Sequence, residues 1–177
     1  MYNIDSTRTE TTEKYDYDTA VTVFQNIISP IKYKTTFTQM PMGWPTDMRF
    51  KIENLGKKYV VEIKQRNQDM TKYPQLQLKQ WKLRRMYNDT KDDETLLYIV
   101  LVNDSEFFIY NMNELDFSEV EWQPYDLDKI DFSSIVLTDW EIKNVQYSVD
   151  EKGSETKPTP TYFLPISMAC AHGKIPK

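Results

Sequence analysis

The sequence predicts an α/β domain in which a mixed β-sheet is flanked by helices. Three observations predict it. A stripe of apolar residues at helical spacing lies near the N-terminus, two short strand-like stretches joined by a turn follow it, and two more strand-like runs come after a second helical segment. A chain of 177 residues and 21.1 kDa, 40% hydrophobic and 28% charged, is long enough to bury its own core in one domain.

Residues 1–12 are polar and read as a flexible arm. Tyr17, Ala20, Val21, Phe24, Ile27 and Ile28 recur at the period of one helical face and predict a helix over 13–29, ended by Ser29-Pro30. Residues 31–39 are rich in β-branched and aromatic types and suit a short strand. Residues 40–46, with two prolines and a glycine, suit a loop.

Met48, Phe50 and Ile52 alternate along 47–53, Asn54-Leu55-Gly56-Lys57 supplies turn chemistry, and 58–64 follow as an inner strand apolar on both faces. Tyr73, Leu76, Leu83, Met86 and Tyr87 predict a helix over 72–88, with Pro74 in its first turn. Residues 95–102 and 106–110 read as strands joined by Asn103-Asp104-Ser105. Beyond about 115 the pattern weakens: 116–133 are acidic and loop-like, 135–149 suit a strand or an irregular cover, 150–160 a flexible linker, and 161–171 an apolar tail. The organisation expected is an arm over 1–12, a core over 13–115, and an acidic extension over 116–177 that packs on the core.

Charge is unevenly spread. Residues 49–91 carry 12 Lys/Arg against 4 Asp/Glu, net +8, whereas 92–177 carry 6 against 17, net −11. A basic block in an acidic chain is either a footprint for a polyanion or a solvated lysine-rich face. The single cysteine, Cys170, excludes an internal disulfide and a thiolate metal cluster. The single histidine, His172, excludes zinc sites needing two. Metal chemistry would have to rest on carboxylates. No apolar run approaches the roughly 20 residues of a membrane span, and the polar N-terminus does not suit a secretory signal, so a cytoplasmic protein is expected.

The informative constellation is Pro45-Thr46-Asp47, a hairpin, then Glu62-Ile63-Lys64. An antiparallel hairpin returns on itself, so Asp47 at the start of one strand and Glu62 near the end of the next become neighbours. Glu62 and Lys64, two apart, project from one face. Two carboxylates so close repel unless a proton or cation lies between them. Mg²⁺ suits such a place because it takes oxygen ligands, to which the Ile63 carbonyl could add.

These residues resemble the PD-(D/E)XK nuclease superfamily, whose fold is that of restriction endonucleases, with elements in the order αβββαβ. Glu62-Ile63-Lys64 matches the second half of the motif unchanged, and Pro45-Thr46-Asp47 carries one extra residue between proline and aspartate. The resemblance covers roughly residues 13–111. It implies Mg²⁺- or Mn²⁺-dependent hydrolysis of DNA phosphodiesters, with Asp47 and Glu62 as ligands and Lys64 at the attacking water. The superfamily usually adds a carboxylate from the first helix; Glu13 continues the apolar stripe backwards and is the choice here, with Asp16 and Asp18 towards its flanks. Arg66, Lys72 and Lys79 are candidates for phosphate contacts. A second Glu-X-Lys, Glu141-Ile142-Lys143, lacks the upstream turn and reads as a decoy. Trp44 and Trp81 read as packing residues in preference to base-stacking ones.

Branched or duplex DNA as substrate and a homodimer are both compatible with the resemblance. The small, aromatic-rich, glycine-poor chain also looks similar to nucleases of phages and mobile elements, which would place it in a host cytoplasm. The alternative is a non-catalytic member of the same fold that binds nucleic acid or protein.

Overall fold

The structure, a computed structural model, describes residues 6–28, 33–115, 141–145 and 159–177. The expected acidic loop over 116–133 and most of the expected linker over 150–160 lie outside the described residues. The elements are α1 (Ser6–Ile28), β1 (Thr35–Gln39), β2 (Met48–Ile52), β3 (Lys57–Arg66), β4 (Gln75–Lys79), α2 (Gln80–Asp89), β5 (Glu94–Val102), β6 (Glu106–Asn111), β7 (Glu141–Val145), β8 (Thr159–Pro165) and β9 (Ala171–Lys174). They form a mixed α/β fold, as the sequence predicts. Among the described residues no helix is long and apolar enough to cross a membrane.

The chain divides into two compact units. The first holds residues up to Gln68, Met86–Glu114 and Ala169–Lys177; the second holds Asp69–Arg85 and Leu115–Met168. The first contains a six-stranded sheet in the order β1-β2-β3-β5-β6-β9. Only β3 and β5 run parallel, with Glu62 beside Tyr98 and Lys64 beside Val100. A parallel pair cannot be joined by a hairpin, and here β4 and α2 lie between the two strands in sequence.

β5 is the centre of the sheet: every residue from Leu96 to Val102 is buried. Such a run needs both faces covered. On one face Ala20, Val23, Phe24 and Ile28 of α1 join Met48, Phe50, Val61, Ile63, Ile99 and Ile109 in one core. Phe50 stacks on its cross-strand neighbour Tyr59, with ring centroids 4.5 Å apart. Val23 belongs to this core while Ile27 is exposed, so the buried stripe of α1 is rotated slightly from the one expected. The helix also begins at Ser6, inside the stretch read as an arm.

The two tight connections obey local chemistry. Between β2 and β3 a short 3₁₀ turn over Glu53–Leu55 ends on Gly56, which adopts φ +63°. Nothing lies within 4 Å of where a Cβ would stand there. Gly56→Ala is therefore expected to cost only backbone strain, about 1 kcal/mol, read as a lower midpoint in urea with an unchanged slope. Between β5 and β6, Asn103 and Asp104 both adopt φ +52°, the left-handed pair that these residue types tolerate in hairpin turns.

The helix expected over 72–88 is corrected. Its first part is strand β4, whose Gln-Leu-Gln-Leu-Lys sequence alternates, with Leu76 and Leu78 buried. β4 pairs with β8, and β8 with β7, in the antiparallel three-stranded sheet of the second unit. There the buried Tyr162 hydroxyl accepts a hydrogen bond from the Gln80 amide at 3.2 Å, and burial pushes this phenol up to about 12. The C-terminal segment splits: residues up to Pro165 complete this sheet, whereas β9 pairs with β6 in the first unit.

Candidate active site

Asp47 is delivered by a braced loop. The Trp44 amide donates to the Pro41 carbonyl at 3.1 Å, closing a four-residue turn in which Gly43 takes φ +82°. A turn with positive φ at its third residue favours glycine there. Next, Asp89 at the end of α2 collects three side-chain donors. It accepts from Trp44 Nε1 at 3.0 Å, from Thr46 Oγ1 at 2.7 Å and from Arg49 Nη2 at 3.1 Å. Arg49 also donates to the Asp89 carbonyl and to Glu94. A carboxylate is unfavourable beside a helix C-terminus; these three donors compensate it. Thr46 is fully buried, so the residue preceding Asp47 has a fixed position.

β2 pairs with β3 only as far as Met48 and Val61. One residue further, the Asp47 amide donates to the Val61 carbonyl at 3.0 Å, and Asp47 Oδ2 accepts from the Ile63 amide at 2.7 Å. These two bonds bracket Glu62. Residues 61 and 63 direct their peptide groups to the same side of β3, so the Ile63 carbonyl points past the last pair with β2. Glu62 is 6% exposed, and Lys64, two residues on, is exposed.

Asp47, Glu62, Ile63 and Lys64 line a cleft of about 320 Å³, together with Glu13, Asp16 and Gln65 and the loop from Met40 to Trp44. The structure thus brings Asp47, Glu62, Lys64 and Glu13 to one cavity. It also adds Asp16. Burial, then the charge of Asp47, push the Asp16 carboxyl up to about 6, with Lys64 acting in the opposite direction. Sequence reasoning placed Asp16 on a flank of the stripe. The rotation of α1 that buries Val23 is the signal that would have brought it forward.

The donor set fits a hard cation. Asp16 Oδ1 and Gln65 Oε1, both in this cleft, are buried acceptors with no hydrogen-bond partner among the described residues, and unmet acceptors are costly. Among the described residues no three His, Cys, Asp or Glu side chains form a ready-made metal cage. The raised Asp16 has a further consequence. The folded state holds its proton more tightly than the unfolded chain, so its contribution is full below about pH 4 and is lost as pH rises through about 6. In metal-free buffer Asp16→Asn is expected to raise Tm at pH 7.5 and leave it unchanged at pH 4, measured by thermal unfolding at both.

The other expected site residues part company. Arg66 hydrogen-bonds the Tyr98 hydroxyl, and burial raises that phenol well above its ordinary range. Lys79 closes strand β4 rather than lying beside the apolar stripe of a helix, and Lys72 lies in an exposed turn with its ammonium 5.3 Å from the Tyr73 ring centre; both belong to the second unit. Glu141-Ile142-Lys143 lies on β7 in that unit. Trp44 is exposed rather than packed away. Cys170 is exposed, its thiol donating to the Ile109 carbonyl at 3.3 Å, and His172 stacks on Phe108 at the surface.

No protein-family model matches this chain, and no curated protein matches it. Among solved structures it is similar to Hjc, a Holliday junction resolvase from the archaeal hyperthermophile Archaeoglobus fulgidus, at 12% identity and a TM-score of 0.38, over 63% of this chain and 89% of that one.

Proposed function

We propose that this chain is a metal-dependent nuclease that hydrolyses DNA phosphodiester bonds in the cleft of Asp47, Glu62 and Lys64. The reading rests on one observation. Asp47 is clasped to the two peptide groups either side of the buried Glu62, at the open end of a strand pair, with Lys64 on the same face. Asp47, Glu62 and the Ile63 carbonyl would hold Mg²⁺ or Mn²⁺, with Glu13 or Asp16 as a further carboxylate. When bound, the ion supplies positive charge against the charge that develops on the phosphate. Lys64 holds the attacking water in line with the phosphorus and stabilises a phosphate oxygen. Asp47 and Glu62 keep that corner anionic, so a phosphate enters it only together with a cation. Arg66, Lys72 and Lys79 are the proposed backbone contacts, since cations of this kind position DNA without reading its sequence. Duplex or branched DNA is the proposed partner, a homodimer the form that would cut both strands, and the cytoplasm the working compartment.

The test is incubation with plasmid, branched and single-stranded DNA in Mg²⁺, in Mn²⁺ and in chelator. Cleavage that needs the cation and disappears in Lys64→Ala supports the reading. Binding of DNA without turnover in either cation would identify the non-catalytic alternative.

A further inference from the structure

On the rim of the cleft, Met42 and Trp44 are 52% and 47% exposed. Neither is loose. The turn that carries them is closed by the Trp44-to-Pro41 backbone bond, and Gly43 between them takes the positive φ that the turn requires. The indole is further tied by Nε1 to Asp89 at 3.0 Å. A large apolar ring is thus held facing solvent with its polar edge already satisfied, which leaves its flat faces as the available surface. Among the residues lining the cleft, Lys64 is the one cation, set among Glu13, Asp16, Asp47 and Glu62. A nucleic acid entering here meets little charge attraction from the walls, so another contact must supply affinity.

We propose that Trp44, with Met42 beside it, is a stacking site for an unpaired nucleobase next to the phosphate in the cleft. The inference rests on the nuclease reading and specifies its substrate class. In a continuous duplex both faces of every base are covered by neighbours, so an indole face can stack only where pairing is interrupted: at a branch, a bulge or a frayed end. Stacking of a base on an aromatic side chain is typically worth about 1–3 kcal/mol by alanine substitution and does not depend on base identity. The methionine thioether adds a soft contact that adapts to the ring presented.

Two duplexes of one sequence test this, one fully paired and one with a single unpaired 2-aminopurine, titrated with the full chain in Ca²⁺. Fluorescence of the analogue reports stacking, and a backbone label reports binding. The wild-type protein is expected to bind the interrupted duplex more tightly and to quench the analogue. Trp44→Ala should lose about tenfold in affinity for that duplex alone. Trp44→Phe, which keeps a ring but loses the bond to Asp89, should retain most of it. Met42→Ala, with a smaller loss of the same selectivity, provides a second reading should Trp44→Ala not fold. Equal losses on both duplexes, no loss on either, or a Phe variant as weak as the Ala variant would overturn the stacking site while leaving the nuclease reading intact. Failure of the wild-type protein to bind either duplex would bring down both.

Discussion

Glu62→Gln is expected to fold normally and to hydrolyse DNA about 10²–10³-fold more slowly than the wild-type protein at saturating substrate and Mg²⁺. The substitution keeps shape and volume at a buried position, so packing changes little. What it removes is one full negative charge from the corner shared with Asp47. A cation at that corner then loses a charged oxygen ligand, and losing a group of this kind in a site that stabilises charge commonly costs several kcal/mol of barrier. Stability of the metal-free protein should be unchanged or slightly raised, because one of two neighbouring carboxylates has been neutralised. Single-turnover cleavage beside a thermal melt separates the two effects. A Glu62→Gln protein that cuts at the wild-type rate would remove Glu62 from the mechanism.

Asp89→Ala should be the most damaging substitution outside the carboxylate corner. It strands the Thr46 hydroxyl, fully buried, and one bond of the Arg49 guanidinium, and it frees the Trp44 indole. Leaving buried donors unmet costs about 1–3 kcal/mol per group, partly recovered by the Arg49 contacts to the Asp89 carbonyl and Glu94 that remain. A net loss of about 2–3 kcal/mol is expected in urea unfolding. Activity should fall beyond what stability explains, because Thr46 precedes Asp47 and a displacement near 1 Å can cost on the order of 100-fold in rate. Asp89→Asn, which keeps one acceptor oxygen, should recover part of both. Wild-type activity in Asp89→Ala would mean that the loop needs no such brace.

The fold was legible where local pattern and local partner coincide. β2, with alternating apolar residues, and β3, apolar on both faces, are sequence neighbours joined by a glycine turn, and the Asp47-to-Glu62 proximity follows from that hairpin alone. β5 and β6 are likewise a hairpin with turn residues between them. β4 is masked in the sequence because its Leu76 and Leu78 alternation runs directly into a helix, so that Leu76, Leu83 and Met86 together mimic one helical stripe. Its partner β8 stands more than 80 residues away, beyond any local signal. The start of α1 was hidden because its first two turns are polar and carry no apolar stripe.

At the site, the residue types proposed to hold a cation were readable from spacing, but the residues that position them were not. Asp89 matters because α2 ends there and faces the Thr46 loop, a tertiary fact with no sequence signature. Asp16 differs from Glu13 by a rotation of the helix that only packing decides. For Trp44 the sequence leaves packing and base stacking both open, and its exposure is set by the turn that Gly43 permits.

The central claim is that the open end of β2 and β3 holds a divalent cation between Asp47 and Glu62. Anomalous diffraction from crystals grown with Mn²⁺ tests it most directly. The account predicts a manganese peak at that corner, within roughly 2.0–2.3 Å of oxygens from both side chains, and its disappearance in Glu62→Gln. A corner without anomalous signal at Mn²⁺ concentrations that support cleavage, or a peak bound elsewhere on the chain, would contradict it.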